Sequence, residues 1–158
     1  MTESYSIREA TADDIETIVR HRREMFFDMG HSDQAVLDEL VKSFRPWLAE
    51  KLSKQEYRAW FAVGEDGSVA AGAGLWLMNW PPGLHTSEPW RGNILNVYTE
   101  QAHRRRGLAR RLLCTARDWC GMQGIHVVIL HSSEQGRPLY ESLGFQPTNE
   151  MRVFLPAK

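Results

Sequence analysis

Three arginines and a glycine, Arg104-Arg105-Arg106-Gly107, run into Leu108-Ala109-Arg110 shortly after the apolar stretch Asn93-Ile94-Leu95-Asn96-Val97-Tyr98-Thr99. The stretch reads as a strand, Glu100 to His103 as a turn, and the chain from Gly107 as a helix. The first backbone N–H groups of a helix have no partner within it. Together with the helix dipole they make an anion site. Gly107 and Ala109 keep the turn free of bulk, so a diphosphate can approach the backbone closely. The arginines add charge-assisted contacts to phosphate oxygens. A solvated basic helix start, with a glycine for close packing, explains the same residues equally well. The lysine-bearing loop of P-loop NTPases is absent, as is a dinucleotide-binding G-x-G-x-x-G.

The elements that position this turn follow from periodicity. Tyr5 to Arg8 form a short first strand. Thr11 stands as an N-cap with Asp13 and Asp14 in the first turn, and Ile15, Ile18, Val19, Arg22 and Phe26 continue at helical spacing to about Met29. Gly30 ends this helix. A second runs from Gln34 to Ser53, and Pro46 is expected to break or restart it. From Arg58 the period changes. Trp60 to Val63 and Ser68 to Leu77 are strands around the hairpin turn Glu65-Asp66-Gly67. Asn79 to Gly92 is a long loop, and Asn93 to Thr99 a third strong strand. Gly107 to Gln123 is helical, with Leu108, Leu112, Leu113, Ala116, Trp119 and Cys120 along one face. His126 to His131 is a continuous apolar run, which suits a strand buried on both faces. Gly136 to Leu143 is a short helix ended by Gly144. Phe145 and Glu150 to Leu155 supply final strands. The order is α/β.

The chain's 158 residues fit a single domain spanning 1–158, long enough to bury a core without staples. A hydrophobic share of 42%, a charged share of 25% and a net charge of -1 argue against a dedicated nucleic-acid or membrane binder. A nucleic-acid surface at His103 to Arg111 is disfavoured because the remaining chain is net acidic. Cys114 and Cys120 fall in one helical stretch, with no second pair or nearby histidine to complete a metal site, and read as reduced thiols. Met1 to Arg8 holds no basic region followed by an apolar run. The apolar stretches are too short to span a bilayer. A cytoplasmic location is the expectation.

Two segments resemble the GNAT superfamily, the general-control-type N-acetyltransferases. Arg104-x-x-Gly107-x-Ala109 matches the family's Gln/Arg-x-x-Gly-x-Gly/Ala behind a strand. Leu139-Tyr140-Glu141-Ser142-Leu143-Gly144-Phe145 matches its Leu-Tyr-Glu-x-Leu-Gly-Phe helix, one strand later. The resemblance covers the whole chain, best from Asn93 to Phe145 and weakest from Phe26 to Arg58. It implies a single-domain GNAT fold. Its mixed, mostly antiparallel sheet is splayed between central parallel strands and flanked by helices.

It also implies roles. The backbone of Val97, Tyr98 and Thr99 would bond the pantetheine arm of acetyl-CoA like an added strand. Arg104 and the amides of Arg105, Arg106, Gly107, Leu108, Ala109 and Arg110 would hold the pyrophosphate. Tyr140 would protonate the departing thiolate. Without the family signature, Tyr140 reads as a core tyrosine on a short helix. Ser133 stands where many relatives carry asparagine, and can bond the pantetheine or the helix start. Gly136 stands where many have alanine, and Pro138 lies in the first helical turns, where proline is tolerated.

The implied reaction is direct acetyl transfer from acetyl-CoA to a primary amine through a tetrahedral intermediate, with no metal and no covalent enzyme intermediate. A small-molecule acceptor stands first, and a protein N-terminus or lysine second. The rival from another class is a non-catalytic acyl-CoA-binding module. The base that deprotonates the amine stays open among Glu100, His131 and a water relay, with Asn96 able to hold a water; His103 reads as a solvated neighbour of the turn. Trp76, Trp80, Trp90 and His85, with Met25, Phe26, Phe27, Met29 and His31, would line an acceptor pocket. Core packing or a homodimer contact explains them equally well.

Overall fold

The computed structural model describes residues 4–157. Strand β1 (Tyr5–Glu9) leads into a 3-10 turn at Ala12–Asp14. Thr11 caps that turn in a reciprocal capping box, its side chain accepting an amide while Asp14 accepts from the Thr11 N–H at 2.8 Å. Helix α1 (Ile15–Asp28) follows, and Gly30 closes it at φ 99°. Helix α2 spans Gln34–Ser53 as one piece, with Asp33 accepting from the Ala35 and Val36 amides.

The expected break at Pro46 does not occur: the proline lies inside a continuous helix. An interior proline destabilises a helix by about 3 kcal/mol. Here Leu37, Phe44 and Leu48 are buried on one face, and Trp47 stacks on Phe44 and packs edge-on against Tyr57 and Trp76. Each such side chain contributes about 1.5–3 kcal/mol on burial, which outweighs the lost backbone bond.

Strands β2 (Tyr57–Gly64), β3 (Val69–Asn79) and β4 (Trp90–Thr99) form an antiparallel meander with β1 at its edge. Helix α3 (Leu108–Met122) then crosses back to β5 (Val128–Leu130), which pairs parallel to β4. Helix α4 (Arg137–Ser142) ends at Gly144, φ 92°. Leu108, Leu112, Leu113 and Ala116 of α3 pack on one face of the sheet with Leu75 and Ile94. Ile18, Val19, Phe44 and Leu48 of α1 and α2 pack on the other with Phe61 and Tyr57. This is the expected mixed, mostly antiparallel α/β arrangement.

The expected final strands do not form: residues 143–157 carry no helix or strand. Phe145 packs against the core as an irregular residue. Met151 and Phe154 are 94% and 86% exposed, so no packing holds Glu150 to Leu155 extended against the sheet. The parallel pair therefore closes the sheet at its edge. The Cys114 and Cys120 thiols are free, and burial pushes Cys120 up to about 11. No helix among the described residues is long and apolar enough to cross a membrane.

Candidate active site

Strands β4 and β5 share a ladder only over Gly92 to Ile94 and Val128 to Leu130. Beyond Ile94 they diverge, and β4 keeps hydrogen-bonded company only with β3, where Tyr98 opposes Gly72 and Thr99 opposes Ala71. A bulge sits at the point of divergence. Asn96 adopts φ 55°, and the register slips so that Leu95 opposes Gly74 while Tyr98 opposes Gly72. The edge of Val97 to Thr99 that faces away from β3 is thus open to an extended ligand except at the Thr99 carbonyl, which Arg104 occupies. A large cleft occupies this splay, lined by β4, β5, α1, α2 and the chain around α4.

The glycine turn lies beyond the end of β4. Gly107 is the N-cap of α3 at φ 74°, and Arg105 also takes a left-handed φ of 62°. The first intrahelical bond runs from Arg111 N to Gly107 O at 3.1 Å. The amides of Leu108, Ala109 and Arg110 therefore precede the ladder and have no carbonyl within the helix. A Cβ on Gly107 would meet no atom within 4 Å. The glycine is required by its positive φ rather than by crowding, and the space beside it is free for an anion. Leu108 is buried in the core and anchors the helix start.

The arginines are not equivalent. The Arg104 guanidinium is bound to Asp28 of α1, donates from Nε to Thr99 O at 3.0 Å and lies over the Tyr98 ring. Arg106 turns away from the cleft and donates to the Tyr5 hydroxyl at 3.0 Å. Arg110 reaches Ser142 of α4 at 2.7 Å. Arg105 is exposed. The cleft lining includes Arg104 but none of Arg105 to Arg110.

Tyr140 lines the cleft from α4, half-buried, with its ring edge-on to Phe145. Burial raises its phenol above the ordinary value, which keeps it protonated. Ser133 also lines the cleft, and its hydroxyl accepts from Gly136 N at 3.1 Å, at the start of α4.

Of the base candidates, Glu100 stands outside the cleft, in a shallow depression with Ser68 and His103. Burial alone would raise its carboxyl, but Arg20 and the adjacent His21 outweigh that and hold it below the ordinary range. His131 lies at the cleft rim, 3.6 Å from Glu150. His103 is half-buried and hydrogen-bonded to Tyr5 at 2.8 Å rather than freely solvated. Among the described residues no group of three or more His, Cys, Asp or Glu side chains could hold a metal ion.

Of the residues expected to line an acceptor pocket, Met25, Phe26, Met29, His31 and Trp76 do line the cleft; Phe27, Trp80, His85 and Trp90 do not. Trp80 instead stacks on Arg91. Sequence reasoning missed Trp47 and Phe44 of α2 and singled out Arg22 only as a helical-spacing residue. The signal was there in the apolar face of α2, but nothing local distinguishes a helix face turned to a cleft from one turned to a core. Arg22 donates from Nη1 to Asn96 Oδ1 at 2.7 Å, and the Asn96 amide donates to the Tyr57 hydroxyl at 2.8 Å.

The comparisons agree with this architecture. The chain matches the model of the acetyltransferase (GNAT) family over residues 15–145. It belongs to that family. A solved GCN5-related N-acetyltransferase from Ralstonia eutropha is 35% identical, with a TM-score of 0.90, over 96% of this chain and 99% of that one. A predicted acetyltransferase from Clostridium acetobutylicum, solved with acetyl-CoA, is 28% identical with a TM-score of 0.83, over 96% of each chain. An aminoglycoside N-acetyltransferase in complex with CoA shares the fold at 18% identity and a TM-score of 0.67. No match is found among curated proteins.

Proposed function

We propose that the protein transfers acetyl from acetyl-CoA to a primary amine, with a small molecule as acceptor. The observation that carries this is the unpaired edge of β4 leading to the free amides at the start of α3. A pantetheine arm can add to that edge as a strand does, and the amides suit a diphosphate. The thioester supplies an activated acetyl group when bound. The rest falls to this chain. Val97 and Tyr98 offer backbone groups, and Thr99 offers its own where Arg104 leaves them free. The turn from Arg105 to Arg110 holds the phosphates. Tyr140, kept protonated by burial, donates to the thiolate that leaves. The amine gives its proton to water in the cleft or to His131. Glu100 is unsuited because it is outside the cleft and its carboxylate is tied up by Arg20, which weakens it as a base.

The phenol at the cleft favours an enzyme over a binding module, since a binder needs no proton donor at the sulfur. The test couples two measurements. Saturating acetyl-CoA should raise the melting temperature, with adenosine doing much less, and free thiol should appear when a suitable amine is added. Absence of a shift at millimolar acetyl-CoA overturns the reading.

A further inference from the structure

Three arginine positions on α1 face three situations. Arg20 is paired with Glu100 and Arg23 with Asp38. Arg22, between them, has no carboxylate within ion-pair reach among the described residues, although it lines the cleft. Among the described residues its one hydrogen bond goes to the neutral Asn96, and its Nε is buried without an acceptor. Phe26 and Phe44 hold the guanidinium, their ring centroids 5.1 and 4.6 Å from its central carbon. The carboxylates that line the same cleft are already engaged: Asp28 by Arg104, Glu141 by Arg137 and Glu150 by His131. A desolvated guanidinium is stabilised by an anion, and none of the described residues supplies one here.

A second group in the cleft has the opposite need. Asn93 is buried at 8% exposure, and its Oδ1 has no donor. It opposes Trp76 across the ladder, and Trp76 packs edge-on against Trp47 of α2, 5.3 Å between ring centroids. Asn93 therefore shares the α2 face of the sheet with Arg22's partner rings. An unpaired cation, an unpaired acceptor for N–H and an indole wall occupy one side of the cleft.

We infer that the acceptor is an amine carrying a carboxylate and an apolar body, an amino acid in type, with Arg22 binding the carboxylate. The inference rests on the acetyl-transfer reading above. The planar guanidinium suits a carboxylate in two-point contact. Asn93 Oδ1 accepts from the amine, and Trp47 and Trp76 take the apolar part. Such a ligand brings an anion to Arg22 and a donor to Asn93 together.

The experiment pairs amines that differ only in the carboxylate: phenylalanine with phenethylamine, methionine with 3-(methylthio)propylamine, and lysine with cadaverine. O-Phosphoethanolamine and glucosamine 6-phosphate, beside ethanolamine and glucosamine, separate carboxylate from phosphate. Thiol release gives kcat/KM for each, on the parent protein, Arg22→Gln and Arg22→Lys. The carboxylate-bearing member should be preferred by the parent. Arg22→Gln should lose about 10- to 150-fold on that member, the span for hydrogen bonds to a charged group, and less than about 3-fold on its partner. Arg22→Lys keeps the charge and should recover part of the loss. Retained acetyl-CoA thermal shifts show the variants folded. Equal use of both members, a preference for the phosphorylated amines, or an unchanged preference in Arg22→Gln overturns the inference. So does a parent that binds acetyl-CoA and acetylates no carboxylate-bearing amine. A parent with no acetyl-CoA shift overturns the acetyl-transfer reading instead.

Discussion

The Tyr57 hydroxyl occupies the place where a side chain on residue 74 would begin: a Cβ built on Gly74 would stand 1.9 Å from Tyr57 Oη. The glycine lets the phenol cross the face of β3 and accept from Asn96 Nδ2 at 2.8 Å. That bond holds the side chain of the residue on which β4 bulges. Gly74→Ala should therefore destabilise the fold by about 1–3 kcal/mol or more, the range for overpacking a filled core. Tyr57→Phe added to it should recover part of the loss. Urea denaturation of the two variants measures both, and an unchanged midpoint for Gly74→Ala would refute the crowding.

Gly107 presents the reverse situation, an open surroundings and a constrained backbone. Gly107→Ala should lose about 1–2 kcal/mol from its left-handed φ alone, with a modest loss of acetyl-CoA affinity. Gly107→Glu adds bulk and negative charge beside the free amides and should abolish binding while leaving a cooperative unfolding transition. Calorimetric titration with acetyl-CoA separates the two. Parent-like affinity in Gly107→Glu would move the phosphates elsewhere.

Tyr140→Phe keeps the ring against Phe145 and removes only the hydroxyl. Turnover should fall by roughly ten- to ten-thousand-fold, with water able to stand in. The Michaelis constant for acetyl-CoA should change far less, because the backbone contacts remain. Because burial raises the phenol, any alkaline loss of activity from this group in the parent should come above the ordinary phenol value. A variant turning over at the parent rate would remove Tyr140 from the chemistry.

His21 is buried beneath Tyr98 and 3.2 Å from Glu100, and burial, with Arg20 nearby, pushes it down to about 4. In the unfolded chain it returns to about 6.5. Between these values the unfolded state binds the extra proton, so stability rises with pH there. It is fully present above about pH 6.5 and declines as pH falls toward 4, by about 2 kcal/mol at pH 5 from this residue alone. Urea midpoints at pH 5 and pH 7.5, in the parent and in His21→Gln, check the prediction. An equal pH slope in both would assign it to other groups.

Much of the frame was legible because it is written locally. The Thr11 cap, the Gly107 turn and Gly144 each follow from the backbone needs of one or two residues. The span of α2 was legible from the apolar spacing of Val36, Leu37, Leu40 and Phe44, but the effect of Pro46 was not. Whether that helix breaks depends on Trp47 finding Tyr57 and Trp76, which lie on other elements. The aromatic side of the cleft was half legible for the same reason. Trp76 and Phe26 stood out as aromatics, whereas Trp80 and Trp90 carry the same signal and lie elsewhere. The unpaired state of Arg22 is invisible in a helix that also holds Arg20 and Arg23, because only tertiary structure decides which of them meets an acid. The C-terminal stretch from Glu150 misled because its apolar residues promise a strand, and a strand exists only with a neighbour to bond.

The two walls of the splay differ in how firmly they are tied down. Strand β4 is laddered to β3 along most of its length, while β5 is held through only three residues, from Val128 to Leu130. Amides of β3 and β4 should therefore exchange with solvent only on global unfolding, and those of β5 through a cheaper, separate opening. The cleft is a fixed wall facing a detachable one.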